Sequence, residues 1–460
     1  MTLGATHALA SFALEAEFDD AARAQAVRAV LDTLAATIAG LTAPDAGSIV
    51  EFVRADRAAG PSTALGLPGP VSAASAALVN GTIGHLADYD DVSHPMMGHP
   101  SGVLVPVLLA VAEQHGSGGR AVLDAYWAGL RVALAVAAGF DLPTHYRRGW
   151  HSTGTIGPLA ATAAVARLRG LEVPDARRAL GLAASFAGGS RQNFGTTTKA
   201  LHVGRAAEVA ITAVELVAAG ATADPDQLEG PLGYFALFGG APVDAAAVGR
   251  ALDEVPDTAV TVKMYPCCFQ SHRAVDAALT VHREIAGAPL AAVEVTVQPG
   301  GAAALIHDRP RTPLEAKFSG PYIVATALSG GRVGLADFTE SALRAPPRRA
   351  LLERVTLRES DRPAIGPASW AGGFAVVDAT LADGRHVRSR CDAPHGHPSN
   401  PPTVADVQAK FADCLRFAGL GAIVDASSDA ITALAADGPA GAILPLINET
   451  LLAARRVSRA

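Results

Sequence analysis

The residues with the clearest chemical potential lie together between positions 88 and 102. Asp88, Asp90 and Asp91 are followed by His94 and His99, all within twelve residues. A carboxylate bonded to one imidazole nitrogen fixes the tautomer and raises the basicity of the other nitrogen, so this composition suits proton transfer. The same residues would also fit a capped, solvated loop that merely joins two core helices. This stretch alone leaves both interpretations open.

Both histidines of this stretch are followed by proline, at Pro95 and Pro100. Proline removes a backbone donor and favours an extended conformation in the residue before it. The sequence therefore predicts that His94 and His99 are presented from a rigid irregular loop rather than wound into a helix.

A second candidate group is His151, which precedes Ser152 and Thr153 at the entry to an Ala-rich helix predicted over Leu159–Leu168. The exposed N–H groups and the positive dipole end of a helix favour an anion at this position. Ser152 and Thr153 would serve equally well as simple helix caps. Capping alone does not require His151, however, which favours a functional interpretation.

Lysine is rare in this chain: there are four lysines among 37 Lys and Arg residues, which leaves 33 arginines. A primary amine can shift its pKa and carry a proton, which a guanidinium does not do, so each lysine is a candidate functional group. Lys199, Lys263 and Lys317 lie in the three most unusual downstream segments. Lys410, on an amphipathic helix, is predicted to be a solvated surface residue.

The segment around Lys199 is a polar run, residues 188–202, between two core-like helices. It also contains Arg191 and His202, with hydroxyl and amide groups that supply directional donors. A buried lysine at such a break needs an anionic partner, either from the protein or from a ligand. Gly188-Gly189 is too weak a pattern to indicate a nucleotide loop, and the sequence has no GxxxxGK[ST] or strand-flanked GxGxxG motif.

The overall composition excludes several classes of protein. A net charge of -7 and a pI near 6.1 provide no basic surface for nucleic acid. The mean hydropathy of +0.26 would suit a membrane protein, but the most apolar runs, Val103–Ala112 and Val132–Phe140, are too short. They span about ten residues, whereas a membrane-spanning helix needs roughly 18. Without a recognisable export signal, we expect a cytoplasmic protein.

The cysteines argue against a metal centre. Their spacing is irregular and matches neither a disulfide framework nor a zinc site; they are Cys267, Cys268, Cys391 and Cys414. Adjacent Cys267 and Cys268 are also poorly placed to bind one iron–sulfur cluster together. We therefore predict that the protein needs no metal and no cofactor.

The pattern of apolar residues predicts a mainly helical protein. Half of the chain is hydrophobic but only 5% is aromatic, so its core must be packed with Ala, Leu and Val, as in closely packed helices. Helical spacing is present in Ala21–Leu41, Val71–Leu86, Gly102–Glu113, Ala121–Phe140, Arg177–Phe186, Gly204–Ala219, Val404–Phe417, Ser428–Leu434 and Gly441–Arg456. Asp19 and Asp20 are placed to cap the first of these helices.

A block of mixed composition interrupts the helical pattern. It contains a predicted strand, two predicted helices and a predicted hairpin around Asp383-Gly384, in the order His272–Ile285, Ala291–Gln298, Pro313–Leu328, Gly373–Leu381 and His386–Cys391. We predict a large helical domain built from both chain ends, residues 1–265 and 394–460. A smaller α/β lid domain would be inserted between them, over residues 266–393. Clefts between domains are favoured binding sites.

Taken together, these segments resemble the MmgE/PrpD family, which contains 2-methylcitrate dehydratase, cis-aconitate decarboxylase and iminodisuccinate epimerase. The resemblance covers nearly the whole chain. It is carried by Asp88-Tyr89-Asp90-Asp91 with His94-Pro95 and His99-Pro100-Ser101-Gly102, by Trp-His-Ser-Thr-Gly-Thr around His151, by Thr-Thr-Thr-Lys-Ala-Leu-His-Val-Gly around Lys199, by Lys-Met-Tyr-Pro from Lys263, and by Glu-Ala-Lys-Phe-Ser-Gly-Pro-Tyr ending at Tyr322. Each fragment is moderately specific, and their common order over more than 200 residues makes the resemblance specific.

The resemblance implies a helical domain with an α/β lid, usually in a homodimer, and proton chemistry on carbon next to a carboxylate. The implied partner is a small di- or tricarboxylate substrate. On this basis we predict catalytic roles for His99, His151, Lys199, Lys263 and Tyr322. We predict substrate-binding roles for the other candidates, Asp88, Asp91, His94, Arg191, His202 and Cys268.

Two departures from the family pattern affect the expected activity. The resemblance implies that Ala-His follows the Lys-x-Phe/Tyr-Pro motif in the decarboxylase branch. In this chain Cys267-Cys268 follows the motif instead. Decarboxylation is accordingly less favoured. The acidic loop is also one residue longer between His94 and His99, which leaves open whether Asp88 or Asp91 pairs with a histidine.

The first hypothesis is a cofactor-independent lyase that dehydrates a 2-methylcitrate-like hydroxy polycarboxylate by α-proton abstraction. An epimerase or isomerase of a dicarboxylate such as iminodisuccinate would use the same bases, and a cis-aconitate-type decarboxylase is the third enzymatic alternative. The alternative of another class is a non-catalytic helical scaffold protein.

Overall fold

A computed structural model describes residues 4–55, 58–254, 259–367 and 373–457. Before the mixed block the α-helices are Ala5–Glu15, Asp20–Gly40, Ala46–Ala55, Ala73–Leu86, Pro100–His115, Gly119–Ala138, Leu142–Arg147, Ser152–Leu168, Val173–Phe186, Thr197–Ala218, Tyr234–Gly239 and Ala245–Asp253. Within the block they are His272–Ile285, Pro313–Ala316, Gly320–Gly330, Glu340–Arg344 and Pro346–Leu352. After it they are Val404–Phe417, Val424–Thr432 and Ile443–Val457. Short 3-10 helices cover Arg191–Asn193, Phe269–Ser271, Leu335–Phe338, Gly421–Ile423, Ala433–Ala436 and Ala440–Ala442.

The smaller α/β part, predicted above to be a lid, contains a four-stranded mixed sheet formed by β1 (Leu290–Val297), β2 (Val355–Glu359), β3 (Ala375–Leu381) and β4 (His386–Cys391). The strand order is β2-β1-β3-β4. β1 pairs in parallel with β2, whereas β3 is antiparallel to both β1 and β4. The predicted hairpin is confirmed, because β3 and β4 are joined at Asp383-Gly384 and Gly384 has the positive φ of 85° that such a turn requires.

The chain has two principal apolar cores, which confirms the mainly helical fold class with a smaller α/β part. The larger core takes buried residues from positions 5–262 and again from positions 407–451. The smaller core takes its residues from positions 267–391. On this basis we propose that residues 266–393 are a separate domain, with residues 1–265 and 394–460 forming the other domain. The outermost residues, 1–3 and 458–460, lie outside the described part.

Small residues allow the central helices to approach closely. A Cβ on Gly204 would lie 2.2 Å from the backbone oxygen of Leu78, and one on Gly81 would lie 2.9 Å from the Cα of Gly204. Helices Ala73–Leu86 and Thr197–Ala218 therefore cross in direct backbone contact, which no larger side chain would permit. This crossing brings the first turn of helix Thr197–Ala218 against the C-terminal end of helix Ala73–Leu86.

Most predicted helices are present, with shifted ends. Asp19 caps helix Asp20–Gly40 as expected, since its carboxylate accepts a hydrogen bond from the Ala22 amide at 2.8 Å. Helix Thr197–Ala218 begins seven residues before the predicted Gly204. The predicted helix over 313–328 is two helices, because Ser319 caps a new helix by accepting from the Tyr322 amide.

The prediction that Lys410 is a solvated residue is wrong. Its side chain is 1% exposed, and its ammonium donates to Asp32 Oδ1 at 2.6 Å and to the backbone oxygens of Tyr89 and Lys263 at 2.7 and 2.8 Å. Three acceptors satisfy all three N–H groups, which is what allows a lysine to be buried.

Within the described residues, one helix is long and apolar enough to cross a membrane, Gly119–Ala138. However, 83% of its most apolar window is buried inside the protein. The helix therefore belongs to the core of the bundle.

Candidate active site

A small cavity lies between the helical core and the lid, with a volume of about 140 Å³. This is below the roughly 300–1,000 Å³ typical of pockets for drug-sized ligands, so a substrate that fits must be small. The helical part contributes Asp88, Val92, Ser93, His94, Met97, His99, Tyr146, His151, Phe194, Lys199 and Lys263 to its wall. The lid contributes Cys268, Phe269, Gln270, Ala304 and Phe318.

The N-termini of three helices converge on this cavity. His99 and His151 are the N-cap residues of helices Pro100–His115 and Ser152–Leu168, and Lys199 lies in the first turn of helix Thr197–Ala218. The Thr153 hydroxyl ties two of these ends together by accepting a hydrogen bond from the His99 amide at 3.1 Å. Helix N-termini carry partial positive charge, so the arrangement favours an anionic ligand.

Asp88 is the central carboxylate of the site. Its Oδ1 lies 2.6 Å from Lys199 Nζ and its Oδ2 lies 3.1 Å from Lys263 Nζ. Burial would raise the pKa of Asp88, but the two ammonium groups more than offset this effect and hold it well below its usual range. Burial likewise would lower the pKa of Lys263, and Asp88 and Asp90 raise it. The site therefore holds two lysines against one central carboxylate.

Asp88 reaches this position through an unusual backbone conformation. Its φ is 49°, in the left-handed region that few residues other than Gly, Asn and Asp adopt. The bend follows helix Ala73–Leu86 directly, and it allows the Asp88 backbone oxygen to accept from Lys263 Nζ at 3.0 Å. One residue thus holds Lys263 through both its side chain and its backbone.

His85 and Asp90 support Lys199 from behind. His85 Nδ1 lies 2.8 Å from Asp90 Oδ2, and His85 Nε2 lies 2.6 Å from Lys199 Nζ. An ionised carboxylate only accepts hydrogen bonds, so Nδ1 of His85 carries the hydrogen and Nε2 accepts from the lysine. Burial lowers the pKa of His85, which is consistent with this neutral tautomer. The pair fixes the direction of the Lys199 ammonium.

His99 is arranged as a base. Its Nδ1 lies 2.7 Å from the backbone oxygen of Asp91. Because a carbonyl oxygen can only accept, Nδ1 must donate, and Nε2 is left with its lone pair. Burial holds the pKa of His99 well below its ordinary value, so the ring stays neutral and able to take a proton.

His151 pairs with a second histidine rather than with a carboxylate. Its Nδ1 lies 3.0 Å from Nδ1 of His202, so the two rings share one hydrogen. His151 is buried and lines the cavity, whereas His202 lies behind it and borders a second cavity. Burial, followed by the effect of Lys199, lowers the pKa of His151 well below its ordinary value.

Two predicted substrate-binding residues line the cavity at its lid side. His94 packs edge-on against Phe269, with ring centroids 5.0 Å apart, and burial lowers its pKa to about 4. Cys268 is buried in the wall, and burial raises the pKa of its thiol to about 11. Both side chains are therefore neutral near pH 7.

Three residues with predicted substrate-binding roles, Asp91, Arg191 and His202, do not line the cavity in this structure. Asp91 accepts from the Ser101 hydroxyl and faces a separate cavity behind the loop, where burial raises its pKa to about 7. Arg191 stacks on Tyr146 at 3.6 Å and donates to the backbone oxygen of Ala303 at 2.9 Å, which ties the helical part to the lid.

A metal ion fits this site poorly. Ring nitrogens of His85, His99 and His151 lie within 4.8 Å of one another, as do ligand atoms of His85, Asp88 and Asp90. However, Nε2 of His85 already accepts from Lys199, and an ammonium at this distance repels a cation. The charges therefore favour a carboxylate substrate over a metal.

Comparison with known proteins identifies the family. The family model described as MmgE/PrpD N-terminal domain matches residues 7–245, and the model described as MmgE/PrpD C-terminal domain matches residues 265–431. The chain belongs to the MmgE/PrpD family. Together the two matches cover most of the chain, including every residue that lines the cavity except Lys263.

Several curated relatives are named cis-aconitate decarboxylase. The protein from Mus musculus is 28% identical over 353 residues, which are 73% of this chain and 70% of the relative. The protein from Homo sapiens is 27% identical over 401 residues, 84% of this chain and 81% of the relative. The protein from Aspergillus terreus is 24% identical over 362 residues, 72% and 73% of the two chains. The chain is therefore an MmgE/PrpD-type enzyme.

Tyr322, which the resemblance to the MmgE/PrpD family suggested as a catalytic donor, lies elsewhere in this structure. It is packed in the lid core, and its hydroxyl donates to the backbone oxygen of Asp337 at 2.6 Å. Arg348 Nη1 donates to the same hydroxyl at 3.0 Å. The catalytic role of Tyr322 stays a prediction, since in this structure its hydroxyl is held by two protein groups and the residue does not line the cavity.

Several residues that position or enclose Lys199 in this MmgE/PrpD-type site had no role predicted from the sequence. His85 and Asp90 position Lys199, and Phe194 and Phe318 enclose its ammonium from opposite domains at 5.3 and 4.8 Å from their ring centroids. The available signal was His85 itself, a polar residue in a small-residue helix just before the acidic loop. Nothing in the local sequence distinguishes the two phenylalanines from ordinary core residues.

Proposed function

We propose that this protein is a cofactor-independent lyase that dehydrates a small hydroxy polycarboxylate of the 2-methylcitrate type. The observation that carries the proposal is the pairing of a neutral His99, whose Nε2 is unprotonated, with two ammonium groups in one cavity. A base beside fixed cations suits the removal of a proton from carbon next to a carboxylate, because the cations stabilise the enolate that forms.

The proposed roles follow from hydrogen-bond capacity. Lys199 donates two N–H groups, to His85 and to Asp88. Lys263 donates one N–H to the Asp88 backbone oxygen and forms an ion pair with Asp88 Oδ2 at 3.1 Å. Each ammonium has three donors, so each keeps at least one for a substrate carboxylate or for the enolate. Their cationic charge would act where the negative charge develops.

In the dehydration we propose, His99 Nε2 takes the α-proton, and the electron pair left on carbon is delocalised into the neighbouring carboxylate. The double bond then forms as the hydroxyl on the adjacent carbon leaves, with a proton from His151 Nε2. The products are the unsaturated acid and water. General acid and base groups typically contribute about 10²–10⁴-fold each to such a step.

Decarboxylation is the second candidate, because the curated relatives above bear the name cis-aconitate decarboxylase. It would use the same lysines to hold carboxylates. Cys268 weighs against it here: the residue lies in the cavity wall as a neutral thiol, where the family resemblance implies a histidine in the decarboxylase branch. A neutral thiol cannot supply the cation or the acid that an imidazole can.

The test is incubation of the protein in D₂O with a panel of di- and tricarboxylates, followed by NMR. Loss of water with formation of an alkene supports the proposal. Loss of CO₂ identifies a decarboxylase, and deuterium exchange without loss of either identifies an epimerase. A folded protein that leaves every compound of the panel unchanged would overturn the proposal and favour the non-catalytic alternative.

A further inference from the structure

We propose that His202 is a relay residue that supplies His151 with protons from a second cavity at the rear of the active site. The inference rests on the proposed function, since it assumes that His151 donates a proton to the leaving group. It concerns a residue that does not line the substrate cavity and would act only through His151.

The geometry that points to a relay is the contact between the two imidazoles. Nδ1 of His151 and Nδ1 of His202 are 3.0 Å apart. Two unprotonated nitrogens at this distance would repel each other, so one ring must donate its Nδ1–H to the other. Burial lowers the pKa of His202 to about 4, so the pair is neutral and shares a single hydrogen.

The shared hydrogen gives the pair two states. When His202 donates, His151 accepts at Nδ1 and its hydrogen is on Nε2, which makes it an acid toward the substrate cavity. When His151 donates, its Nε2 is unprotonated and it can only accept a proton. The position of the hydrogen shared with His202 thus decides whether His151 Nε2 can donate or accept a proton in the substrate cavity.

The second cavity gives His202 its own source of protons. His202 is partly exposed and borders a cavity of about 240 Å³, large enough for water, that is lined from helices Ser152–Leu168 and Thr197–Ala218 and from residues 186–189. Within the described residues, Nε2 of His202 has no protein hydrogen-bond partner. It is therefore free to exchange a proton with water.

Gly189 keeps this rear contact open. Its φ is 142°, and a Cβ there would lie 3.2 Å from Nδ1 of His202. The Gly189 backbone oxygen also accepts from the His151 amide at 2.9 Å. The glycine therefore holds His151 in place and leaves room for the imidazole behind it.

The proton balance of the relay is simple. As His151 gives its Nε2 hydrogen to the leaving hydroxyl, it receives the Nδ1 hydrogen of His202 at its own Nδ1, and His202 takes a proton at Nε2 from water in the rear cavity, which leaves hydroxide there. To reset, the α-proton that His99 took passes by way of the product water to His151 Nε2, the hydrogen between the rings returns to His202, and His202 Nε2 gives its proton back to the hydroxide. One proton moves through the pair in each direction, and neither ring becomes an anion.

The activity test compares His202→Ala, His202→Gln and a control, Arg205→Ala, an exposed residue on the rear cavity wall. The substrate is the one identified in the D₂O panel. We expect kcat to fall by at least about 10-fold in both His202 variants with KM nearly unchanged, a loss smaller than the roughly 10²–10⁴-fold for removing an acid itself. Arg205→Ala should be unaffected.

Chemical rescue separates a relay from a merely structural role. Imidazole added to His202→Ala should restore kcat by entering the space left behind His151, and methylimidazoles should do so in proportion to their basicity. His202→Gln keeps a donor for His151 and fills the space, so it should be folded but not rescued. Full activity in both His202 variants, or no greater response to imidazole in His202→Ala than in the wild type, would overturn the inference.

A measurement that needs no substrate keeps this test distinct from the proposed function. Nitrogen-15 NMR of histidine-labelled wild-type protein should show one ring of the pair as the Nδ1–H tautomer and the other as the Nε2–H tautomer. Two Nε2–H tautomers would exclude a shared hydrogen and overturn the relay even if the enzyme is active. Inactivity on the whole panel with the mixed tautomers present would overturn the proposed reaction and leave the paired histidines in place.

Discussion

Asp88 is the residue on which the charge balance of the site depends. Its carboxylate lies within 3.1 Å of two buried ammonium groups, and Lys199 reaches it with a side chain only 6% exposed. A buried charge that loses its partner is strongly destabilising, so each lysine contributes both to folding and to any substrate binding. Activity and stability must therefore be measured together at these positions.

The first prediction concerns Lys199→Met. We expect kcat/KM to fall by at least about 10²-fold because an electrostatic donor to the enolate is lost, and the free energy of unfolding to fall by roughly 3–5 kcal/mol because Asp88 loses one of its partners. Turnover and urea denaturation should be measured on the same preparations. The double variant Asp88→Asn/Lys199→Met should regain stability but not activity; recovery of activity would contradict the assigned role.

The second prediction concerns the pH dependence set by His99. The base acts in its neutral form, and burial holds its pKa well below the ordinary value of 6.5. Its neutral form is therefore kept as the pH falls through 6.5 and is lost only at lower pH. We expect kcat/KM, which reports the free enzyme, to show no loss from this group down to about pH 6. A half-loss of kcat/KM near pH 6.5 would contradict this assignment.

At the scale of elements, helix Val404–Phe417 is joined to the site through Lys410. This ammonium binds Asp32 of helix Asp20–Gly40 and the backbone oxygens of Tyr89 and Lys263. Tyr89 follows Asp88, the central carboxylate, and Lys263 is one of the two lysines paired with that carboxylate. Helix Val404–Phe417 thus holds the acidic loop against the segment that carries Lys263. A helix that is far from the acidic loop in the sequence therefore helps to hold that loop and Lys263 in place.

The third prediction follows from this connection. Lys410→Met should lower the free energy of unfolding by about 3–5 kcal/mol because Asp32 keeps an uncompensated buried charge. Urea denaturation of Asp32→Asn/Lys410→Met should show partial recovery. Arg416→Ala, on the same helix but in an exposed pair with Asp413, should change stability little. A Lys410→Met protein as stable as the Arg416→Ala protein would show that the burial of Lys410 is unimportant.

The sequence predicts some helices and strands better than others. Long helices such as Val404–Phe417 and the hairpin at Asp383-Gly384 follow from apolar spacing and turn residues, which are local properties. The apolar pattern places the start of helix Thr197–Ala218 too late, because the first turn of this helix is polar and carries Lys199. Periodicity reports burial, and a first turn that faces a polar site breaks the apolar pattern.

The orientation of polar side chains was much harder to predict. Helix Ala73–Leu86 is made of small residues with almost no polar face, so the presence of His85 is a signal but the spacing does not show which way its side chain points. The predicted surface position of Lys410 is wrong for a related reason, because its partner Asp32 lies far away in the chain. The hydrogen bond from Tyr322 to the backbone oxygen of Asp337 is likewise not visible in the spacing of the sequence. Partners brought together by the fold are tertiary information that spacing does not contain.

At the scale of the whole molecule, the cavity is formed by two bodies with separate apolar cores. Lys199 and Lys263 come from the helical part, whereas Phe318 and Cys268 come from the lid. Arg191 already bridges the two parts through the backbone oxygen of Ala303. A ligand in this cavity would contact both parts, so its binding energy would also hold the lid against the helical domain.

The last prediction is that a tricarboxylate such as citrate stabilises both parts together. A ligand that binds only the folded state adds about 2.7 kcal/mol at a concentration 100 times its Kd, so thermal melts should shift upward with citrate. Hydrogen exchange should slow around residues 88–99 and also around residues 268–270 and 318. An uncharged ester of the same acid is the control and should have no effect, because the two lysines recognise carboxylates. Protection confined to the helical part, or equal protection in Lys199→Met, would show that the ligand does not bind where the lysines and the lid meet.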